Sequence, residues 1–288
     1  IAAGILGAHF YAFLHFFVVG VLAAVAPLVA QSLGARRFRH VRRSVRQGLW
    51  AAVTIFVFGA LMLLQAGSVL LALGQDSHLV GLSVGYLDVR GVGLLPGLVF
   101  LVLSNFLAAH SRPRAIMVVS LAAIGLNALG NYVLMFGHFG LPRLELIGAG
   151  ISSAAVDTFA AASLLAFVLI DRRFKRYHIL ARFWRPDWPR YREIFSVGLP
   201  IAGAVLSEAG LFLASTLLVG RLGEAQLAGH AVAVQCASVA YMIPLGLGQA
   251  ATVRVGLALG MRDAAGVRRA GRIALVTGVA FMMVPALA

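Results

Sequence analysis

Leu33-Gly34-Ala35-Arg36-Arg37-Phe38-Arg39-His40-Val41-Arg42-Arg43-Ser44-Val45-Arg46 is answered 226 residues later by Leu259-Gly260-Met261-Arg262-Asp263-Ala264-Ala265-Gly266-Val267-Arg268-Arg269-Ala270-Gly271-Arg272, with seven of fourteen positions identical. In both copies a long apolar span ends at the basic turn and another begins. Self-similarity at a fixed offset marks an internal repeat. The 288 residues hold one full period and the first 62 residues of the next. The repeat therefore predicts a longer protein of two periods, about 450 residues.

With 61% apolar residues, 12% charged residues and a mean hydropathy of +0.93, the chain departs far from soluble composition. It reads as an all-α integral membrane protein. A helix needs about 20 apolar residues to cross the hydrocarbon core. Eight stretches reach that length, at 5–33, 47–73, 92–109, 115–136, 148–170, 194–219, 230–258 and from 273 onward. The first lacks the basic lead-in and small-residue cleavage site of a signal peptide.

A formal charge of +14 would suggest nucleic acid in a soluble protein, but position decides otherwise. Residues 34–46, 110–114, 171–193 and 260–272 carry twenty of the 24 Lys and Arg, while Arg90, Arg143 and Arg221 fall to the alternate loops. The positive-inside rule then predicts cytoplasmic basic loops and an external loop from Gln75 to Asp88. Nucleic acid is not expected as a partner; the lipid bilayer is. Cys236 is the single cysteine, which leaves no disulfide framework and no CxxC site within the chain.

Six crossings separate the basic turn from its copy, an even number, so the two repeats run parallel about an axis along the membrane normal. The expected organisation is an N-terminal bundle at 1–170 lacking its first helix, a cytoplasmic linker at 171–193, and the first three helices of a truncated C-terminal bundle at 194–288. The whole protein is expected to hold twelve helices in two bundles of six.

Several motifs resemble the multidrug and toxic compound extrusion (MATE) family. Leu22 to Trp50, Asn127-x-x-x-Asn131 with Tyr132, and Gly148-Ala149-Gly150 are similar to its second, third, fifth and sixth helices. The run Gly198-Leu199-Pro200 through Glu208, then Gly220-Arg221-Leu222-Gly223, His230, Pro244-Leu245-Gly246 and Arg254-Val255-Gly256, resembles the seventh and eighth helices of the NorM-like branch. After His230 the chain departs from that pattern, with Ala231 for the usual Gln and Gln235 for the usual Asn. The resemblance implies a secondary antiporter that exports cationic amphipathic compounds in exchange for Na⁺ or H⁺, monomeric when full length, in a bacterial inner membrane. It implies no cofactor beyond the coupling ion and no metal site.

A carboxylate within hydrocarbon costs several kcal/mol unless protonated, paired or facing a wet cavity, so intramembrane acids mark candidate sites. Asp157 and Glu208 are the two that lie well inside spans. Glu208 falls near the middle of 194–219 and matches the family motif; Asp157 has Ser153 and Thr158 nearby, which could satisfy it structurally. Asn127 and Asn131, four apart, share a helix face and could coordinate a cation or bond to a neighbouring helix. His230 and Gln235 are auxiliary candidates; His230, near the outer end of its helix, is open to a capping or interface role or to proton relay, and Gln65, Asn105, Gln235 and Gln249 to interhelical bonding. Phe10, Phe13, Phe16 and Phe17 recur at helical spacing, as packing or as a drug-binding wall would. Pro27, Pro96, Pro200 and Pro244 are candidate bends. Gly203 and Gly210, seven apart on one face of the Glu208 helix, would allow close helix contact.

Two other functions fit less of this pattern. A lipid-intermediate flippase of the same superfamily calls for a cationic central cavity. An intramembrane enzyme would use Asp157 and Glu208 as acid and base, but no nucleophile or metal cluster accompanies them.

Overall fold

The computed structural model describes residues 2–138, 140, 142–175, 177–179, 183–221 and 223–286, and every regular element among them is a helix. The first crossing is interrupted at one residue. Helix α1 (Ala2–Ala23) gives way at Ala24 to α2 (Val25–Gly34), because the ring of Pro27 clashes with the carbonyl four residues back and supplies no N–H of its own. Helix α3 (Phe38–Leu64) follows, then a break at Gln65 and the short α4 (Ala66–Ala72).

The next segment corrects the sequence reading. Gln75 to Asp88 is not a loop: Asp76 caps α5 (Ser77–Val92) by accepting from the His78 and Leu79 amides at 2.9 and 3.2 Å. Helix α5 bends by 45° into α6 (Leu94–Ala109), where Pro96 places its missing N–H and its ring against Val92. The crossing predicted at 92–109 thus begins at Ser77, and Arg90 lies inside a helix rather than in a loop.

Helices α7 (Pro113–Leu134) and α8 (Glu145–Ile170) complete the first bundle, and the four-residue α9 (Arg172–Lys175) opens the linker. Helix α10 (Trp188–Gly220) starts six residues earlier than the span read from hydropathy, so 188–193 is helical. Helices α11 (Glu224–Gly260) and α12 (Ala264–Ala286) close the described chain. Among the described residues six helices, or seven with the bent α5–α6 pair, are long and apolar enough to cross a membrane. The eighth predicted span corresponds to α12, whose first turns carry Arg268, Arg269 and Arg272.

The main core belongs to the first bundle, where Val18, Leu22, Val45, Leu98, Phe106 and Leu164 are fully enclosed. Among the described residues the later helices add Ile194, Ala202 and Val253 to its buried members, with Tyr191, Phe195, Val197 and Leu257 packed against it. Asn105 ties α6 to α1 by donating to the Leu22 carbonyl at 3.0 Å.

Both repeat copies form the same turn. Arg36 donates to the Leu33 carbonyl at 2.9 Å and Arg37 to Ser32 at 2.9 Å; Arg262 donates to Leu259 at 3.0 Å and Asp263 to Ala258 at 2.9 Å. This is the Schellman termination, which requires a left-handed residue. Arginine occupies it in both copies, with φ 55° at Arg36 and 59° at Arg262.

Candidate functional site

The two halves meet at the end marked by these basic turns. A Cβ built on Gly34 of α2 would overlap the Leu257 carbonyl oxygen of α11, and one on Gly260 would overlap the Gln31 carbonyl oxygen. Gly34 and Gly260 are 226 residues apart, as are Gln31 and Leu257, so each half makes the same contact on the other. Ala30 and Gly256, related by the same offset, face each other, with 2.9 Å between the Ala30 Cβ and a Cβ built on Gly256. Such reciprocity is what a two-fold relation imposes.

Helix α10 packs on α1, away from the basic turn, through Gly198, where a Cβ would overlap the Val21 carbonyl oxygen, and through Ala202, whose Cα leaves no room for a Cβ on Gly20. Beyond Ala202 the contact ends. Gly203 and Gly210 face open space, so the close contact that their small size would allow is not made among the described residues. Their seven-residue spacing gives a shared face but not the part of α10 that touches α1; that part is around Gly198. Phe13 and Phe16 on α1 and Leu211 to Leu213 on α10 are exposed.

Glu208 stands on α10 six residues beyond Ala202, about 9 Å of helix rise, and is exposed. Tyr241 of α11 is its hydrogen-bonding and electrostatic neighbour. Among the described residues Glu208 has no cationic partner. His230 lies 3.3 Å from the Thr216 hydroxyl and so links α11 to α10. Gln235 is exposed on α11.

The other candidates sit in the first bundle. Asn131 donates to the Asn127 side chain at 3.1 Å, and the Ser152 hydroxyl donates to the Asn127 carbonyl at 3.3 Å. The Asn131 side-chain oxygen is buried without a hydrogen-bond partner among the described residues. Asp157 of α8 is bound to Arg90 of α5, with 27% and 14% of their side chains exposed. The Arg90 guanidinium also lies 4.3 Å from the ring centroid of Tyr11, a cation–π contact. Thr158 does not serve Asp157, since its hydroxyl donates to the Ala154 carbonyl at 2.8 Å.

The acids are therefore in different situations. Helix α8 packs on α5, α6 and α7, whereas α10 packs on α1, α3 and α11, so no shared helix pair presents Asp157 and Glu208 together. Two residues escaped the sequence reading. Tyr241 gave no local signal. Arg90 did: a lone arginine near the edge of an apolar span and a lone aspartate inside another call for pairing with each other.

Comparison with known proteins places these features in context. The MatE family matches residues 1–133 and 200–288. The chain is 41% identical over 284 residues to a probable multidrug resistance protein NorM of Mesorhizobium japonicum, covering 98% of this chain and 61% of the relative. It is 42% identical over 276 residues to the protein of that description in Bradyrhizobium diazoefficiens, covering 96% of this chain and 59% of the relative. Among solved structures, the MATE transporter NorM-NG, solved in complex with a monobody, superposes with a TM-score of 0.83 at 27% identity, covering 98% of this chain and 62% of that one. The eukaryotic MATE transporter AtDTX14 superposes with a TM-score of 0.85 at 22% identity, covering 99% of this chain and 63% of that one. The chain thus spans about three fifths of the length of these relatives.

Proposed function

The chain belongs to the MatE family of multi-pass membrane transporters, and on that premise we propose that the whole protein is a secondary active antiporter. It exports cationic amphipathic small molecules in exchange for Na⁺ or H⁺. Family membership replaces the enzyme reading. The observation that carries the proposal is the contrast between the two intramembrane acids: Arg90 already neutralises Asp157, while Glu208 is left on an exposed stretch of α10 with Tyr241 beside it.

An unmatched carboxylate at this depth gains several kcal/mol by taking a proton, a sodium ion or an organic cation. Those ligands exclude one another at a single carboxylate. Gly34 and Gly260 close the basic end, and Glu208 lies further along α10 than the Gly198 and Ala202 contacts, toward the opposite end. A coupling ion arriving from that end displaces the organic cation to the same side. The bound state then rearranges so that the basic end opens and the ion leaves, a population shift driven by the ion gradient. Asn127 and Asn131 contribute a second polar position in the first bundle, where the unpaired Asn131 oxygen is an acceptor for a cation. The flippase reading finds no support in Arg90, which is committed to Asp157.

The arginine-rich turns put the basic end in the cytoplasm by the positive-inside rule, which makes the opposite end the release side. The test is counter-transport by the full-length protein in proteoliposomes, with sodium and pH gradients imposed separately. Export of a cationic dye that depends on one of those gradients, and reciprocal dye-dependent ion flux, is the expected result. Dye movement indifferent to both gradients contradicts antiport.

A further inference from the structure

The linker folds back onto α3. The Trp50 indole donates to the Phe183 carbonyl at 2.9 Å, their rings stack with centroids 5.7 Å apart, and the Tyr191 hydroxyl donates to Thr54 at 3.0 Å. Between the docked linker and the first turns of α3 lies a cavity of about 400 Å³ lined by Arg42, Arg43, Arg46, Arg185, Asp187 and Trp188. Four guanidiniums there face a single carboxylate, and Asp187 is engaged by Arg43 at 3.5 Å. The Nε of Arg42 is buried with no hydrogen-bond partner among the described residues.

We propose that this cavity is a binding site for the phosphate of an anionic membrane phospholipid, of the phosphatidylglycerol or cardiolipin class. Buried donors need acceptors, and an orphaned guanidinium nitrogen beside three more arginines calls for an anion rather than water alone. Guanidiniums match phosphate oxygens in paired, charge-assisted hydrogen bonds. Arg39, Arg42 and Arg46 follow one another at i, i+3 and i+7 on one face of α3, so the cationic wall is a property of the helix. A smaller cavity of about 220 Å³, lined by Phe38, Arg39, Arg42 and Tyr177, shares Arg42 and extends that wall. Trp188, 61% exposed, lines the cavity, and Trp184 beside Arg185 in sequence is 83% exposed, as tryptophans are at the membrane interface. Basic pockets between helices at that level suit phospholipid headgroups. Because the wall comes from α3 and the opposite side from the start of α10, a bound phosphate bridges the first bundle to the helix that carries Glu208. This site is separate from the transport site and does not depend on the antiport reading.

The experiment uses the full-length protein in phosphatidylcholine vesicles containing increasing brominated phosphatidylglycerol, read by quenching of tryptophan fluorescence. Half-quenching is expected at a low mole fraction of phosphatidylglycerol, and R42Q/R185Q should raise that fraction about tenfold, as loss of charged hydrogen bonds predicts. R268Q/R269Q, which removes equal charge from the other basic turn, should leave it unchanged. Equal quenching by brominated phosphatidylcholine, or equal loss in both variants, overturns the proposal. Release by excess inorganic phosphate at constant ionic strength also overturns it, by making the site one for a soluble anion. If R42Q/R185Q does not insert, R42K/R185K keeps the charge but loses the paired donors; undiminished phosphatidylglycerol preference in that variant overturns the proposal.

Discussion

Gly34 touches the backbone of Leu257, and 226 residues later Gly260 touches the backbone of Gln31, so the two halves close on each other through one contact used twice. Neither position has room for a Cβ. The repeat that opens the sequence is thus also the seam along which the halves meet.

A side chain at this seam should hold the basic end apart. In the full-length protein, Gly34→Val is expected to reduce dye export at least about tenfold, because the steric cost exceeds the ~1.4 kcal/mol that a factor of ten represents. Gly203→Ala, at a position with open space, should export normally. Equal export by both variants at equal abundance would show that the seam does not need to close.

The Arg90–Asp157 pair gives a stability prediction. Asp157→Asn strands a guanidinium that is mostly enclosed, and should cost about 3 kcal/mol, the low end of the buried-pair range because Asp157 keeps some exposure. The double variant Arg90→Met with Asp157→Leu should recover most of that loss. Thermal unfolding in detergent, arranged as a double-mutant cycle, measures the coupling; additive losses would mean that the pair does not interact.

The strained turn offers a stabilising change. Arg262 holds a left-handed backbone at φ 59°, which glycine adopts without penalty. Arg262→Gly should raise stability by about 1 kcal/mol, seen as a higher midpoint of thermal unfolding. A lower midpoint would assign Arg262 a contact that outweighs its strain.

Orientation can be read by labelling in intact cells, in a Cys236→Ser background because Cys236 is exposed. Ser77→Cys, at the start of α5, should react with an impermeant thiol reagent, and Trp184→Cys, in the linker, should not. The reverse pattern would invert the topology.

Much of the fold was legible because its signals are local. Hydropathy located the long helices, and the arginine turns located both repeat copies. Helix α5 was hidden because Asp88 and Arg90 lower its apolar character, and what allows Arg90 inside is Asp157 and Tyr11, which are distant in sequence. The candidate site was half legible for a similar reason. Glu208 announces itself as an acid deep in an apolar span, whereas Tyr241 becomes its neighbour only when α10 and α11 pack. Asp157 was open to a structural reading through Ser153 or Thr158, but the partner that engages it, Arg90, lies on another helix.

The central claim is that the unmatched carboxylate of Glu208 is shared by the coupling ion and the exported cation. Glu208→Gln keeps the size and hydrogen bonding of the side chain and removes its switchable charge. In the full-length protein at wild-type abundance, reconstituted in liposomes, this variant should lose ion-driven export of a cationic dye to background. Full ion-driven export by Glu208→Gln would contradict the account and make Glu208 a structural residue.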